Sequence, residues 1–287
     1  MKKLTMEQRR SLNGFLFISV WLLGFMLFLA MPLIQSLWLS FNKLTNIQAM
    51  RTHWIGGRNY YKAFFVDTGY LPRFWNVIWQ TVIKTPLITV FSIMLAILLN
   101  REIKARGLFR AMFFLPMLLG TGFVMRQLIG SGSPTEALQS GISIPEVILL
   151  YLGPELGGIV QKTLNFLSVI LWRSSVQIIL FLSGLQGIPD SFYEAARCDG
   201  ASVWEEFWKI TLPMLSPVIV LNVVYTLIDS FSDGTNDLLD YIVYQTFDKL
   251  KFGYGAALGW IYFAACLLLV VGVFFILSRF VVTTGEK

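Results

Sequence analysis

Charged residues, cysteine and histidine are scarce in this chain of 287 residues, and each scarcity excludes a class of protein. Charged residues make up 14% of the sequence, whereas soluble domains average about 25%, so the chain lacks the polar surface that a soluble core requires. A single histidine and two cysteines, Cys198 and Cys266, provide neither a disulfide framework nor the spacing of a metal site. The 24 Phe and 9 Trp residues lie in apolar runs and not among basic residues, which excludes a nucleic-acid-binding domain.

Long apolar runs account for most of the sequence, which is 55% apolar. About 20 helical residues cross the hydrocarbon core of a bilayer. Runs near this length cover residues 13–34, 75–99, 111–129, 164–185, 214–231 and 258–282. The first run is longer than the apolar segment of a signal peptide, which has about 7–15 residues, so we expect it to remain as the first helix. The sequence therefore predicts an all-α polytopic membrane protein with six transmembrane helices in a single domain, residues 1–287.

Basic residues predict the side of the membrane on which each loop lies. The N-terminal tail of residues 1–12 and the loop of residues 100–110 each contain four Lys or Arg residues. Such short basic loops stay in the cytoplasm. The loop of residues 130–163 carries one Lys and three Glu, and we expect it outside, with a short surface helix at residues 144–152. Both termini are then predicted to be cytoplasmic.

The predicted cytoplasmic loop of residues 186–213 has the sequence features of two short helices. Ser191 with Glu194, and Ser202 with Glu205, fit the Ser-x-x-Glu capping box. In this motif the hydroxyl and the carboxylate satisfy the unpaired amides at the start of a helix. Each pair therefore predicts a helix beginning at its serine.

Glycine and proline are expected to set the ends of these two helices. Gly200 lies between them, where helices commonly end on a residue with positive φ. Pro213 is expected to end the second helix, because proline disfavours α-helical geometry in the residue before it.

The result is a helix–glycine–helix elbow, residues 190–213, with apolar side chains that a loop exposed only to water does not need. They are Phe192, Tyr193, Ala196, Trp204, Phe207 and Trp208. We expect another protein to dock here, although Trp204, Phe207 and Trp208 also fit anchors at a bilayer surface.

Seven positions of the elbow form a spaced motif over twenty residues. They are Glu194, Ala195, Ala196, Gly200, Ile210, Leu212 and Pro213. This pattern resembles the EAA loop of binding-protein-dependent ABC importer permeases, with every defined position filled. Its place in the penultimate cytoplasmic segment and the six spans extend the resemblance over most of the chain. The chain is most similar to the carbohydrate-uptake permeases of the maltose type.

The resemblance implies a type I ABC importer permease fold and a defined set of partners. The family works in prokaryotic cell membranes as two permease subunits, usually two different chains in carbohydrate systems, with two ATP-binding subunits and an extracytoplasmic solute-binding protein. Its EAA loop is a coupling helix that sits in a cleft of an ATP-binding subunit. The implied function is ATP-driven import of a sugar or oligosaccharide by alternating access.

Nucleotide-binding motifs are missing from the sequence. No segment matches the G-x-x-x-x-G-K-[ST] loop that binds phosphates. The run Leu182–Gln186 resembles the signature of an ABC ATPase, but it ends an apolar span and is rejected. His53 has no second histidine with which to form a metal or nucleophile–base site. We therefore expect no enzymatic activity and no cofactor on this chain, with ATP and Mg²⁺ bound by partner subunits.

Polar and aromatic side chains within the predicted spans are candidates for the substrate pathway. Aromatic rings fit the C–H faces of a sugar and amides fit its hydroxyl groups, although the same residue types also serve in packing and at interfaces. The candidates are Trp79, Gln80, Lys84, Arg126, Trp172, Arg173, Gln177, Asn222, Tyr225 and Asp229.

The ionisable members of this set support further hypotheses. Intramembrane charges can couple a solute to an ion gradient, as in a secondary transporter of a small polar solute, but such a carrier has no use for an EAA loop. The three cations, Lys84, Arg126 and Arg173, outnumber Asp229, the one carboxylate expected near them. The surplus favours either pairing with carboxylates of a second permease or a wet cavity that accepts an acidic sugar.

Overall fold

A computed structural model describes residues 6–46, 51–100, 107, 153, 155–161, 163–164, 170, 173–233 and 236–281. The predicted span 111–129 and the predicted surface helix 144–152 lie outside these residues. The chain divides into two compact units, one formed by residues 1–74 and 238–265 and the other by residues 75–237 and 266–287.

The first unit begins with a long helix and a hairpin. Its elements are α1 (Met6–Phe25), a π-helical turn (Met26–Ala30), α2 (Met31–Ser40), β1 (Asn42–Asn46), β2 (Arg51–Trp54) and α3 (Arg58–Phe65). The two strands pair antiparallel, with Asn42 opposite Trp54 and a register irregularity between Leu44 and Asn46. Within the described residues, the other regular elements are all helical. The hairpin forms where polar residues lie between two spans and the backbone is free to pair.

The remaining helices follow in chain order. They are α4 (Tyr70–Asn100), α5 (Ser175–Gln186), α6 (Asp190–Cys198), α7 (Val203–Glu206), a π turn (Phe207–Thr211), α8 (Leu212–Met214), α9 (Ser216–Phe231), α10 (Asp237–Val243), a π turn (Tyr244–Asp248) and α11 (Phe252–Ser278).

Three of the described helices are long and apolar enough to cross a membrane. They cover Phe17–Ser40, Tyr70–Asn100 and Phe252–Ser278. Residues Val203–Met214 and Ser216–Phe231 give a fourth crossing if this pair, bent by 66°, is a single broken span. The helices begin before the apolar runs at 13–34, 75–99 and 258–282, because a helix continues into polar residues that a hydropathy pattern does not register. None of the apolar window in Phe17–Ser40 is buried within the chain.

Two π-helical turns lie directly before X-Pro sequences. The turn Met26–Ala30 precedes Met31-Pro32, and the turn Phe207–Thr211 precedes Leu212-Pro213. A proline inside an α-helix lacks an N–H, and its ring clashes with the carbonyl four residues earlier. A π turn lengthens the hydrogen-bonded spacing to five residues, so each helix continues through its proline.

The second π turn corrects one sequence prediction. Pro213 does not end the second elbow helix, because Leu212 keeps α-helical dihedral angles (φ −65°, ψ −46°) and its amide donates to the carbonyl of Phe207. The helix continues to Met214. The 66° bend follows this residue, where α9 begins.

The core of the second unit lies where α4, α5 and the start of α9 meet. Its buried members are Ile93, Ala96, Leu99, Ile178, Phe181, Leu182, Leu185, Ile188 and Leu215. Helices α5 and α9 approach closely at Gly184, where a Cβ atom would lie 2.9 Å from both Leu215 Cδ2 and Val218 Cγ2. A side chain at this position would therefore displace the side chains of Leu215 and Val218.

A hydrogen-bonded carboxylate joins four segments of the first unit. Asp67 accepts from the hydroxyl of Tyr254 at 2.5 Å, from the hydroxyl of Tyr241 at 2.8 Å and from the amides of Gly69 and Tyr70. Burial acts to raise the pKa of Asp67, but these hydrogen bonds outweigh it and hold the pKa below its ordinary value. The carboxylate is therefore ionised at neutral pH, and hydrogen bonds to a charged group are among the stronger ones.

Removing one donor to this carboxylate is expected to destabilise the first unit. Tyr254→Phe deletes the hydroxyl bonded to Asp67, and a hydrogen bond to a charged group contributes about 1.5–3 kcal/mol. We expect a lower thermal unfolding midpoint in detergent, whereas Tyr61→Phe, at an exposed tyrosine of α3, should leave the midpoint unchanged. Equal midpoints for both variants would contradict a stabilising role for Asp67.

Candidate functional site: the elbow and a polar cavity

The first elbow helix, α6, begins one residue earlier than the sequence predicts. Its N-cap is Pro189, in an extended conformation (φ −62°, ψ 135°), and no side chain caps the helix. Ser191 therefore lies inside the first turn, and the predicted capping box with Glu194 is wrong. Glu194 is exposed on α6, and its negative charge interacts with Arg197 on the same helix.

Gly200 reverses the chain between the two elbow helices. Its φ is +82°, as the sequence predicts. Its amide donates to the carbonyl of Arg197 at 3.0 Å, and the amide of Ala201 donates to the carbonyl of Ala196 at 2.9 Å. These two bonds make a Schellman motif with glycine at the left-handed position. Residues with a Cβ are disfavoured in this conformation.

The second elbow helix begins at the predicted capping box. The hydroxyl of Ser202 accepts from the amide of Glu205, and the Glu205 carboxylate accepts from the Ser202 amide at 3.0 Å. These hydrogen bonds from Ser202, with one from Lys209, lower the pKa of Glu205. An ion pair of 3.0 Å between Arg197 Nε and the buried Glu206 carboxylate links the two helices. The angle of the elbow is thus fixed by side chains as well as by the backbone.

The aromatic residues of the elbow are divided between its core and its surface. Phe207 packs against the core of the second unit, and the hydroxyl of Tyr193 lies 3.0 Å from Thr211 Oγ1. Trp204 is 69% exposed and Trp208 is 49% exposed. Their ring centroids are 5.5 Å apart, and that of Phe207 lies 5.1 Å from Trp208. One aromatic cluster thus extends from the core to the surface.

The seven motif positions fall into two groups. Glu194, Ala195 and Gly200 are exposed, whereas the other four are partly buried. Those four are Ala196, Ile210, Leu212 and Pro213. The motif therefore combines a surface for a partner with residues at the base of the elbow.

A polar cavity of about 100 Å³ lies in the second unit. It is lined by Asn76, Val77, Gln80, Thr81, Lys84, Arg173, Ser230, Asp233, Asn236 and Asp237. From the candidate pathway it brings together Gln80, Lys84 and Arg173. Lys84 donates to Gln80 at 2.8 Å, and Gln80 donates to Asn76 at 3.1 Å.

Arg173 is held by two carboxylates. Its guanidinium lies 2.8 Å from Asp229 Oδ2 and 2.8 Å from Asp233 Oδ2, and its side chain is 12% exposed. Sequence reasoning missed Asp233 because the predicted span ended at Phe231. Asp233 follows the end of α9 at Phe231, so no helical spacing pattern in the sequence could have indicated it.

Asp233, the second carboxylate bound to Arg173, removes the cationic surplus that favoured an acidic sugar. The cavity contains Asp233 and Asp237 beside Lys84 and Arg173, and Asp229 also pairs with Arg173. The described charges around the cavity therefore have no cationic surplus. Arg126, the third cation of that argument, lies outside the described residues, as does Trp172.

Two buried amides join α5 to α9 inside the second unit. Asn222 Nδ2 donates to the backbone carbonyl of Gln177 at 3.0 Å, and Gln177 Nε2 donates to Thr226 Oγ1 at 3.2 Å. Both amides are almost fully buried. Trp79 and Tyr225 are exposed and do not line the cavity. Among the pathway candidates, Gln177 and Asn222 therefore act in helix packing.

Metal-binding groups of three or more His, Cys, Asp or Glu residues do not occur in the part of the chain that the structure describes. Neither Cys198 nor Cys266 forms a disulfide bond, and Cys198 is exposed on α6.

Comparison with known sequences gives relatives over nearly the whole chain. The probable ABC transporter permease protein YesP of Bacillus subtilis is 31% identical over 95% of this chain and 91% of its own. The multiple sugar-binding transport system permease MsmF of Streptococcus mutans is 29% identical over 95% of this chain and 97% of its own. The arabinooligosaccharides transport system permease AraP of Bacillus subtilis is 31% identical over 85% of this chain and 82% of its own. No protein-family model matches the sequence.

Solved structures support the same fold. A chain from a bacterial ABC transporter involved in the import of the acidic polysaccharide alginate matches with a TM-score of 0.67 and 20% identity. The match covers 94% of this chain and 96% of that chain. A second structure of an alginate ABC transporter, in complex with an alginate-bound periplasmic protein, matches with a TM-score of 0.64 and 20% identity over 95% of this chain and 96% of that chain.

Replacing the arginine at the polar cavity is expected to destabilise the second unit. Arg173→Gln leaves Asp229 and Asp233 without their shared cation, and we expect a loss of about 1–3 kcal/mol, measured as a lower thermal unfolding midpoint. Adding Asp233→Asn removes one carboxylate and should recover part of that loss, because contacting residues are not additive. Lys209→Gln, which breaks an exposed pair with Glu205, should change little. An Arg173→Gln midpoint equal to that of Lys209→Gln would contradict the assigned pairing.

Proposed function

Because the chain belongs to the family of ABC transporter permeases, we propose that it is one membrane-spanning subunit of an ATP-driven importer for a sugar or an oligosaccharide. The elbow carries this proposal. It is an exposed helix–glycine–helix segment whose base packs directly into the core of the membrane helices. Such a segment can receive a force on its surface and pass it to the spans.

ATP is hydrolysed on separate subunits, and this chain supplies the docking surface. Helix α6 presents Glu194 and Ala195 to an ATP-binding subunit, while Gly200 sets the turn behind them. When the ATP-binding subunits close or open, α6 moves with them. Phe207 and Leu215 then carry that movement into α5 and α9, since both belong to the same packed cluster. No cofactor is required on this chain.

The chain acts as half of a pore. One elbow engages one ATP-binding subunit, so a complete importer contains a second permease, most simply a different homologous chain, and two ATP-binding subunits. An extracytoplasmic solute-binding protein delivers the substrate, in keeping with the periplasmic protein in the complex named for one structural neighbour. The uncovered apolar surface of Phe17–Ser40 agrees with an environment of lipid and partner subunits.

The substrate class follows from the relatives and from the chemistry of the cavity. Two relatives are named for sugars or oligosaccharides. The cavity presents amides, carboxylates and an ammonium group, which are suited to hydroxyl groups, and the exposed rings of Trp79 and Tyr225 suit the C–H faces of a sugar. Because the described carboxylates balance the cations of this cavity, its charges do not favour an acidic sugar over a neutral one.

An ion-coupled secondary transporter is no longer supported as an alternative. The intramembrane Arg173 that motivated it forms ion pairs within the chain, and the relatives named above are permeases of transport systems of another kind. The remaining cation of the described cavity, Lys84, is hydrogen-bonded to Gln80.

Both termini are proposed to be cytoplasmic. Four basic residues in each of two short segments, residues 1–12 and 100–110, support this orientation. It puts the elbow on the side of the membrane where ATP is available. It also puts the cavity, at the start of α5 and the end of α9, near the outer surface.

Two elbow variants test the coupling. Gly200→Val forces a β-branched residue into the left-handed conformation, which costs about 1–2 kcal/mol, and Glu194→Lys reverses an exposed charge. In a reconstituted complex we expect both variants to lose ATP hydrolysis stimulated by the loaded solute-binding protein, together with sugar uptake. Gly272→Val, at a helical glycine with open space around it, serves as the control. The proposal fails if both elbow variants hydrolyse ATP like the unmodified complex.

The orientation is tested with the cysteine already present on the elbow. In a Cys266→Ser background, a membrane-impermeant maleimide should label Cys198, which is exposed, only after the membrane is opened. Lys251→Cys, at an exposed position between α10 and α11, should react with the same maleimide in intact cells. This variant also carries Cys198→Ser and Cys266→Ser. The opposite pattern of labelling would reverse the topology and remove the elbow from the cytoplasm.

A further inference from the structure

The second elbow helix carries an aromatic surface that the described part of the chain leaves uncovered. Trp204 and Trp208 lie one turn apart and are 69% and 49% exposed. Large exposed apolar surfaces mark contacts with a partner or a membrane. We infer that these two tryptophans lie in the head-group region of the inner leaflet and hold the second elbow helix at the membrane surface, so that α6 alone docks on the ATP-binding subunit.

The direction of this helix agrees with a membrane-surface position. Residues Val203–Met214 meet α9 at an angle of 66°. Transmembrane helices tilt on average about 20° from the bilayer normal. A helix bent by this angle from a spanning helix therefore runs closer to the membrane plane than to its normal.

The two sides of the helix differ in chemistry. Glu205 and Lys209 form an exposed pair one turn apart and give the helix a charged side. Trp204 and Trp208 instead adjoin Phe207, whose ring packs against the core of the membrane domain. The tryptophan surface thus adjoins the side that packs against the core of the second unit, whereas the charged pair is exposed. An apolar side with aromatic residues and a charged side are the features of helices that lie in the interface.

Tryptophan is also the residue type best suited to this location. Its ring is apolar over most of its area and has one N–H donor, and it is enriched where membranes meet water. The apolar side chains of Leu221 and Ile228 are also exposed, and they lie on α9, the span that this helix enters.

This inference rests on the proposed docking of α6 and divides the elbow between two environments. Protein surrounds α6, and lipid head groups surround the second helix. The ion pair of Arg197 with Glu206 joins the two helices. A displacement of α6 would then be transmitted along the membrane surface before it reaches α9.

Spin labels at four positions test this division. Single cysteines replace Trp204, Trp208, Lys209 or Glu194 in a Cys198→Ser, Cys266→Ser background, and each is labelled with a nitroxide in the full chain assembled with its second permease in lipid nanodiscs. Collision rates with oxygen, which partitions into lipid, and with a water-soluble nickel complex are measured before and after adding the ATP-binding subunits. We expect labels at 204 and 208 to collide with oxygen and not with nickel in both states, and the label at 209 to collide with nickel before the addition.

The label at Glu194→Cys separates the two proposals. It should lose its nickel collisions when the ATP-binding subunits bind. If it does not, the coupling function fails, whereas the result at 204 and 208 still decides the membrane contact. Nickel collisions at both tryptophan positions before the addition, or protection there that arises only with the ATP-binding subunits, would overturn the membrane contact and assign the surface to the protein partner.

A second measurement leaves an aromatic ring at each position. In nanodiscs with lipids brominated near the head group, the quenched fraction of tryptophan fluorescence should fall in the Trp204→Phe/Trp208→Phe variant relative to the unmodified chain. An unchanged quenched fraction would contradict the proposed contact.

Discussion

Close packing of α5 against α9 is the contact on which the rest of the second unit depends. The two helices are joined at three levels along their length. At one end Arg173 binds the carboxylates of Asp229 and Asp233, in the middle Gln177 meets Asn222 and Thr226, and at the other end Gly184 lets Leu215 and Val218 approach. Because the levels differ in chemistry, the pair has one register in which all three contacts form. The cavity and the elbow are therefore opposite ends of one packed pair of helices.

In a packed pair of this kind, a displacement at one end of the helices is transmitted to the other end. From Gly184 to Arg173 the helix rises roughly 16 Å, and the buried side chains between them leave little room for relative sliding. A small rotation at the base of the elbow would thus reach the residues that line the cavity. In the proposed importer, this arrangement would link movement of the elbow on an ATP-binding subunit to the side chains around Arg173 at the opposite end of the helix pair.

Local chemistry explains which features could be predicted from the sequence. Gly200 and the Ser202–Glu205 box depend on residues within a few positions of each other, and both have their expected geometry. The Ser191 box and the stop at Pro213 also looked local. However, the N-cap of the first helix is Pro189, two residues before Ser191, and a π turn carries the other helix through its proline. The partnership of Arg173 with Asp233 spans 60 residues of sequence. Only the packing of α5 against α9 brings it about, so no short pattern contains it.

The π turn at Phe207–Thr211 also changes the rotational phase of the helix that contains it. An α-helix turns by about 100° for each residue, and the wider turn takes up one residue more than an α-helical turn does. Side chains after the turn are therefore offset around the axis from where an unbroken wheel, drawn from Trp204 onward, would put them. Trp204, before the turn, and Met214, which packs against the core after the turn, therefore follow two different helical wheels. A homologous sequence aligned through this segment without allowance for the extra residue would assign its inward and outward faces to the wrong positions.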